Sequence, residues 1–120
     1  MKIAVIGCGA MGALYGGYLS QNNEVTLVDR NPERIAKIQK DGLRIAEPDG
    51  SAKIYRPGVT GDTSGMQPVD LVILFVKAMQ SEAALEKNRA LIGRDIYLMT
   101  LQNGSGHEET LRRFADDAHI

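Results

Sequence analysis

The chain has 120 residues, 43% of them apolar and 24% charged, with a formal net charge of −1. That length suits one domain with a single core and leaves no room for a cofactor domain plus a separate catalytic domain. The balance of 14 Lys+Arg against 15 Asp+Glu excludes the basic excess that draws nucleic acid or an anionic membrane surface, and one cysteine excludes a disulfide-stapled secreted scaffold and points to the cytoplasm.

Lys2 to Ile6 is short and continuously apolar after its lysine, the pattern of a strand buried on both faces. It is too brief for a signal peptide, because Gly7, Gly9 and Gly12 interrupt the helix such a segment needs. Met11, Leu14, Tyr15, Tyr18 and Leu19 recur at helical spacing and predict a helix from Ala10 to Ser20. Glu24 to Asp29 is rich in β-branched residues and predicts a second strand. Asn31-Pro32-Glu33 then starts a helix, with Asn31 as N-cap, that Asp41-Gly42 stops.

Leu43 to Ile45 and Ala52 to Tyr55 flank the turn-rich Glu47-Pro48-Asp49-Gly50-Ser51 and predict a small hairpin, followed by a loop over Val59 to Gln67. Val69 to Val76 resumes the buried-strand pattern; its uncharged apolar run, Leu71 to Val76, is far shorter than the roughly 20 residues that cross a bilayer. A helix is predicted over Met79 to Ile92, with Ala83, Ala84, Leu85 and Leu91 facing the sheet. A strand over Asp95 to Leu101 and a last helix over His107 to Asp116, with Leu111 and Phe114 turned inward, complete the chain. Strands alternating with helices imply an α/β fold of the Rossmann type: a doubly wound, mostly parallel sheet with helices on both faces.

Glycine is the compositional outlier, with 13 residues against an average usage of roughly 7%. Gly7-Cys8-Gly9-Ala10-Met11-Gly12 follows the first strand, opens a helix, and precedes Asp29 at the end of the next strand, 20 residues after Gly9. In that context G-x-G-x-x-G is the fingerprint of a dinucleotide site. Gly7 permits the tight turn, Gly9 lets backbone approach a pyrophosphate, Gly12 lets helix and strand pack closely, and the helix N-terminus supplies N–H groups for the phosphates. Cys8 reads as a small residue filling this loop rather than an activated thiol. Gly16 and Gly17 each forgo about 1 kcal/mol of helix propensity, which implies that something approaches the helix there.

The second strand ends in Asp29-Arg30. An acid there accepts hydrogen bonds from the ribose hydroxyls of NAD and repels the 2′-phosphate of NADP, which an arginine neutralises. Both residue types are present, with Arg34 as a second positive charge one turn later, so these residues leave both cofactors open. Lys77, directly after the apolar run to Val76, and Asn103, after the strand to Leu101, fall on the ligand side of a parallel sheet. The alternative readings are a solvated lysine and a turn-forming Asn-Gly. His107 and His119 read as helix-start and chain-end residues, and one cysteine with two separated histidines predicts no metal site.

Lys2-Ile3-Ala4-Val5-Ile6-Gly7-Cys8-Gly9-Ala10-Met11-Gly12, Val76-Lys77-Ala78 with Gln80, and Gln102-Asn103-Gly104 ahead of Glu109 together resemble the N-terminal half of ketopantoate reductases over nearly the whole chain. The resemblance implies NADPH-dependent reduction of the 2-keto acid 2-dehydropantoate to pantoate, on the way to pantothenate and coenzyme A. It implies that Gly7 to Gly12 hold the pyrophosphate, Arg30 the 2′-phosphate, and that Lys77 contacts the cofactor. It places Asn103 beside the nicotinamide ribose and the substrate, so that Lys77 and Asn103 are the candidate catalytic residues. Asp29 departs from the NADP pattern and keeps NAD open.

The family's proton-donating lysine lies in a helical C-terminal substrate domain, absent from this chain. Residues 1–120 are therefore expected to be a dinucleotide-binding domain that does not turn over alone, with a homodimer open to the full-length protein. Two other readings are another 2-keto or 3-hydroxy acid dehydrogenase of the same architecture, and a non-catalytic nucleotide-sensing module of the kind found in potassium-transport regulators.

Overall fold

The centre of the protein is β1 (Lys2–Ile6), whose residues from Ile3 to Ile6 are all buried. Alternate side chains of a strand point to opposite faces, so a strand covered on both sides must be apolar throughout. Ala4 and Ile6 belong to one hydrophobic core and Ile3 and Val5 to the other. The computed structural model describes residues 1–7, 9–76, 78–100, 111, 112 and 114. Among these, β1 is followed by α1 (Ala10–Leu19), β2 (Glu24–Val28), α2 (Pro32–Asp41), β3 (Leu43–Ala46), β4 (Ala52–Tyr55), β5 (Gly58–Thr60), β6 (Leu71–Leu74), α3 (Ala78–Lys87), a 3-10 turn at Arg89–Leu91, and β7 (Tyr97–Thr100).

Five strands form one sheet in the order β5-β2-β1-β6-β7, every neighbouring pair parallel. Helices cover both faces. Leu85 of α3, Leu91 and Leu111 close one core; Ala13 and Leu19 of α1, Ile38 of α2, and Leu43 and Tyr55 of the hairpin close the other. Leu111 is fully buried and Phe114 packs against the first core, inward as expected. The hairpin β3–β4 is an antiparallel pair in register from Leu43↔Tyr55 to Ala46↔Ala52, also as expected. No helix among the described residues is long and apolar enough to cross a membrane.

Two expectations about the elements are corrected. The loop over Val59 to Gln67 begins as strand: β5 pairs with β2 through Thr26↔Gly58, Leu27↔Val59 and Val28↔Thr60. Three residues are too few for a periodic signal, and Gly58 weakens intrinsic strand preference.

The helix expected to reach Ile92 ends at Lys87. There Asn88 Nδ2 donates to the Ala84 carbonyl at 2.7 Å, while Asn88 Oδ1 accepts from Thr63 Oγ1 at 2.7 Å. A side chain that takes a helical carbonyl and anchors to a neighbouring loop competes with continuation of the helix.

α1 forms where its periodicity predicts a helix, and other groups do approach Gly16 and Gly17. Tyr15 and Tyr18 are exposed, and the residues buried against the rest of the fold include Gly12, Gly16 and Gly17. A Cβ on Gly16 would collide with Leu27 Cδ2, and one on Gly17 would lie 2.6 Å from Ile45 Cδ1. The groups that approach these glycines are the protein's own sheet and hairpin. The tyrosines are left to the rim, where Tyr15 stacks on Phe75 and Tyr18 meets Tyr55 edge-on.

The start of α2 follows its sequence closely. Asn31 Oδ1 accepts from the N–H groups of Glu33 and Arg34, Pro32 occupies the first helical position, and Gly42 at φ +74° closes the helix by donating to the Ile38 carbonyl at 2.8 Å. Asn31→Ala is expected to lower stability by about 1 kcal/mol, measurable as a shift of the urea midpoint at unchanged slope.

Candidate functional site

β1 and β6 lie side by side, yet the chain reaches β6 only after passing through β2 and β5 on the other side of β1. This is the topological switch point of the sheet, where the loops leaving the carboxyl ends of the strands diverge and open a crevice. A cavity of about 350 Å³ lies there, lined by Gly7 and Gly9 after β1, Asp29 and Arg30 after β2, Gly61 after β5 and Phe75 after β6.

Gly7 turns the chain with φ +96°, a left-handed conformation that side chains rarely adopt. Its N–H donates to the Val28 carbonyl at 3.0 Å, tying the turn to β2. Gly9 is the N-cap of α1, and a Cβ there would have no atom within 4 Å. No side chain caps α1, and its first turn holds no acid. The first-turn N–H groups, those of Ala10, Met11 and Gly12, therefore lack the usual side-chain acceptor, which leaves the helix N-terminus suited to an anion. Gly12 has the opposite environment: a Cβ there would run into the Gly7 carbonyl oxygen, with the Phe75 ring 3.5 Å away.

At the end of β2, the Asp29 N–H donates to the Thr60 carbonyl at 3.1 Å, which continues the β2–β5 ladder. Asp29 Oδ1 accepts from the N–H of Arg30 at 2.6 Å and of Asn31 at 3.2 Å, and Oδ2 pairs with Arg34 Nη1 at 2.9 Å. Arg30 is exposed at the cavity. Arg34, expected only to add positive charge, instead also neutralises Asp29.

The structure thus brings Gly7, Gly9, Asp29, Arg30 and Arg34 around one cavity, with the backbone of Ala10 and Met11 in the first turn of α1. Cys8, Lys77, Asn103, His107 and His119 lie outside the described residues. The lining also includes Gly61, Ala83 and Lys87, which the sequence does not mark as site residues, and Gln80, which it marks only as part of the family motif. Gln80, Ala83 and Lys87 recur along α3 at spacings of three and four, one face of a helix. The apolar pattern turns Ala83 toward the sheet, whereas in the structure it is exposed and fronts the cavity. Beside it, the Asp62 carboxyl is held below its usual pKa by hydrogen bonding from Ser64, with a smaller contribution from the Lys87 ammonium.

A parallel sheet with this strand order, and a glycine turn leading from its central strand into an uncapped helix, defines the Rossmann class of α/β domains. Residues 3–120 match the family model described as ketopantoate reductase PanE/ApbA, and the chain belongs to that family.

Among curated relatives, the 2-dehydropantoate 2-reductase of Lactococcus lactis is 37% identical over the whole chain, which covers 39% of that protein. The 2-dehydropantoate 2-reductase of Halobacterium salinarum is 37% identical over 92% of the chain and 37% of its own length. Among solved structures, an Enterococcus faecalis protein described as a 2-dehydropantoate 2-reductase superposes with a TM-score of 0.91 at 34% identity, over 100% of this chain and 39% of that one. A D-mandelate dehydrogenase solved with NADH and anilino(oxo)acetate superposes at 0.88 with 37% identity and the same coverage. The chain thus spans about two fifths of the length of the relatives it matches.

Proposed function

We propose that this chain is the NADP(H)-binding domain of an oxidoreductase that reduces 2-dehydropantoate to pantoate, a step toward pantothenate and coenzyme A. The observation behind this reading is the open glycine turn: backbone with no side chain above Gly9, at an uncapped helix N-terminus, facing the cavity at the switch point. A cradle of that shape fits a pyrophosphate, because phosphate oxygens need N–H donors at close range and no Cβ in the way.

Bound NADPH would supply the hydride for the ketone carbon. Gly7 to Gly12 hold the diphosphate, Cys8 serving as a small loop residue, and Arg30 faces the 2′-phosphate. Lys77 comes three residues after the end of β6, and Asn103 three residues after the end of β7. On the resemblance of their motifs, Lys77 contacts the cofactor, and Asn103 orients the nicotinamide ribose and the keto acid. The alkoxide that develops at the ketone oxygen requires a proton. A positioned donor contributes typically 10²–10⁴ in rate, and on the family resemblance that donor lies in a further, helical domain.

Titration of the 120-residue chain with NADPH and NADH tests the reading. NADPH binding that weakens about tenfold or more in Arg30→Ala, with NADH little changed, is expected for one lost charge-assisted phosphate contact. Reduction of 2-dehydropantoate by this chain at ordinary enzyme rates would contradict the need for a further domain. A second reading, a dehydrogenase for a different 2-keto acid, is favoured by the equal sequence identity to the D-mandelate dehydrogenase. A substrate panel on the full-length protein separates the two.

A further inference from the structure

An arginine in the first turn of a helix faces the positive end of the helix dipole, an unfavourable place for a cation. Arg34 occupies that place in α2: with Asn31 as N-cap and Pro32 first, it is the third helical residue. Helical side chains lean toward the N-terminus, so the guanidinium is carried back over the turn that leaves β2, where Nη1 meets Asp29 Oδ2 at 2.9 Å. The Asp29 side chain is only 10% exposed, its other oxygen held by the N–H groups of Arg30 and Asn31, whereas Arg34 is 47% exposed. Both residues and Arg30 line the same cavity.

The cavity therefore holds a carboxylate of the kind that selects against a 2′-phosphate, but holds it paired. Counting Asp29, Arg30 and Arg34, the end of β2 presents two cations against one anion.

We propose that Arg34 is a positioning residue for cofactor choice: by pairing with Asp29 it keeps that carboxylate turned inward and neutralised, so that the site beside Arg30 accepts a 2′-phosphorylated ribose. The proposal rests on the dinucleotide reading above. Without Arg34, Asp29 is a free acid at the ribose subsite, able to accept from the 2′- and 3′-hydroxyls of NADH and to repel NADPH. Arg34 acts through Asp29, which sets it apart from a cation that simply touches phosphate.

A double-mutant cycle tests this, with affinities for NADPH and NADH measured by calorimetric titration on the wild-type chain, Arg34→Ala, Asp29→Asn and the double variant. Asn at position 29 keeps an oxygen for the N–H groups of Arg30 and Asn31, so the turn is preserved. Arg34→Gln retains the aliphatic stem and replaces the alanine variant should that one lose its circular dichroism spectrum.

The expected result is a loss of about tenfold in NADPH affinity for Arg34→Ala, the scale of one unpaired like charge near a protein surface, with NADH affinity unchanged or improved. Asp29→Asn/Arg34→Ala is expected to return NADPH affinity to within about threefold of wild type. A double variant as weak for NADPH as Arg34→Ala alone would overturn the proposal and make Arg34 a direct phosphate ligand. A wild-type chain that prefers NADH would overturn it as well. Binding of neither nucleotide by the wild-type chain would instead overturn the dinucleotide reading, and this inference with it.

Discussion

An alanine in place of Gly9 is expected to lower stability by less than about 1 kcal/mol and to weaken dinucleotide binding by roughly 10- to 100-fold. The asymmetry follows from where the added methyl would go. Gly9 has φ −73° and ψ −172°, an extended conformation open to any residue, and its Cβ would meet nothing within 4 Å. The folding cost is that of a poorer N-cap, whereas the binding cost is that of a methyl standing where the diphosphate approaches. Thermal unfolding gives the first quantity and titration with NADPH the second. Retention of wild-type affinity would mean that the diphosphate does not cross Gly9.

Gly12→Ala is expected to do the reverse, with a loss of about 3 kcal/mol and a fall in Tm on the order of 10 °C. Here the new Cβ would meet the Gly7 carbonyl oxygen, backbone of the glycine turn itself, with the Gly7 carbonyl carbon 3.3 Å away. Relief requires moving either the turn or the start of α1, and the turn is pinned from both sides, the Gly7 N–H donating to the Val28 carbonyl and the Phe75 N–H to the Ile6 carbonyl. Binding should fall too, because the displaced turn is the proposed cradle.

Gly16→Ala provides the control. Its Cβ would meet Leu27 Cδ2, the far end of a side chain that can change rotamer, and alanine recovers about 1 kcal/mol of helix propensity. A destabilisation at Gly16 as large as at Gly12 would show that close packing on β2, rather than the glycine turn, is the critical contact of α1.

The three glycines show how far the sequence could be read. Their spacing marked the turn and its place between strand and helix, where the structure has Gly7 at positive φ, open space at Gly9 and a close approach at Gly12. Gly16 and Gly17 were legible only as an unexplained cost, because Leu27, Ile45 and Tyr55 reach them from elements distant in sequence. The strand-end residues divide in the same way. Asp29 and Arg30 were visible as competing signals for two cofactors, but not the pairing of Asp29 with Arg34, which depends on the lean of a helical side chain over the preceding turn.

What the sequence by itself determined is the order of the central elements, the bounds of α2, the hairpin and the position of the glycine turn. These follow from local signals: apolar runs, Asn31-Pro32, Asp41-Gly42 and Gly7 to Gly12. Only the tertiary structure decided which face of α1 packs, that Gly58–Thr60 joins the sheet, that α3 stops at Asn88, and that Gln80, Ala83 and Lys87 front the cavity. Each of those outcomes depends on a contact between residues remote along the chain: a glycine against a leucine, a three-residue strand completed by its neighbour's open edge, an asparagine held by Thr63. Contacts of that kind leave no periodicity to read, because the energy that decides them belongs to the pair and not to either segment alone.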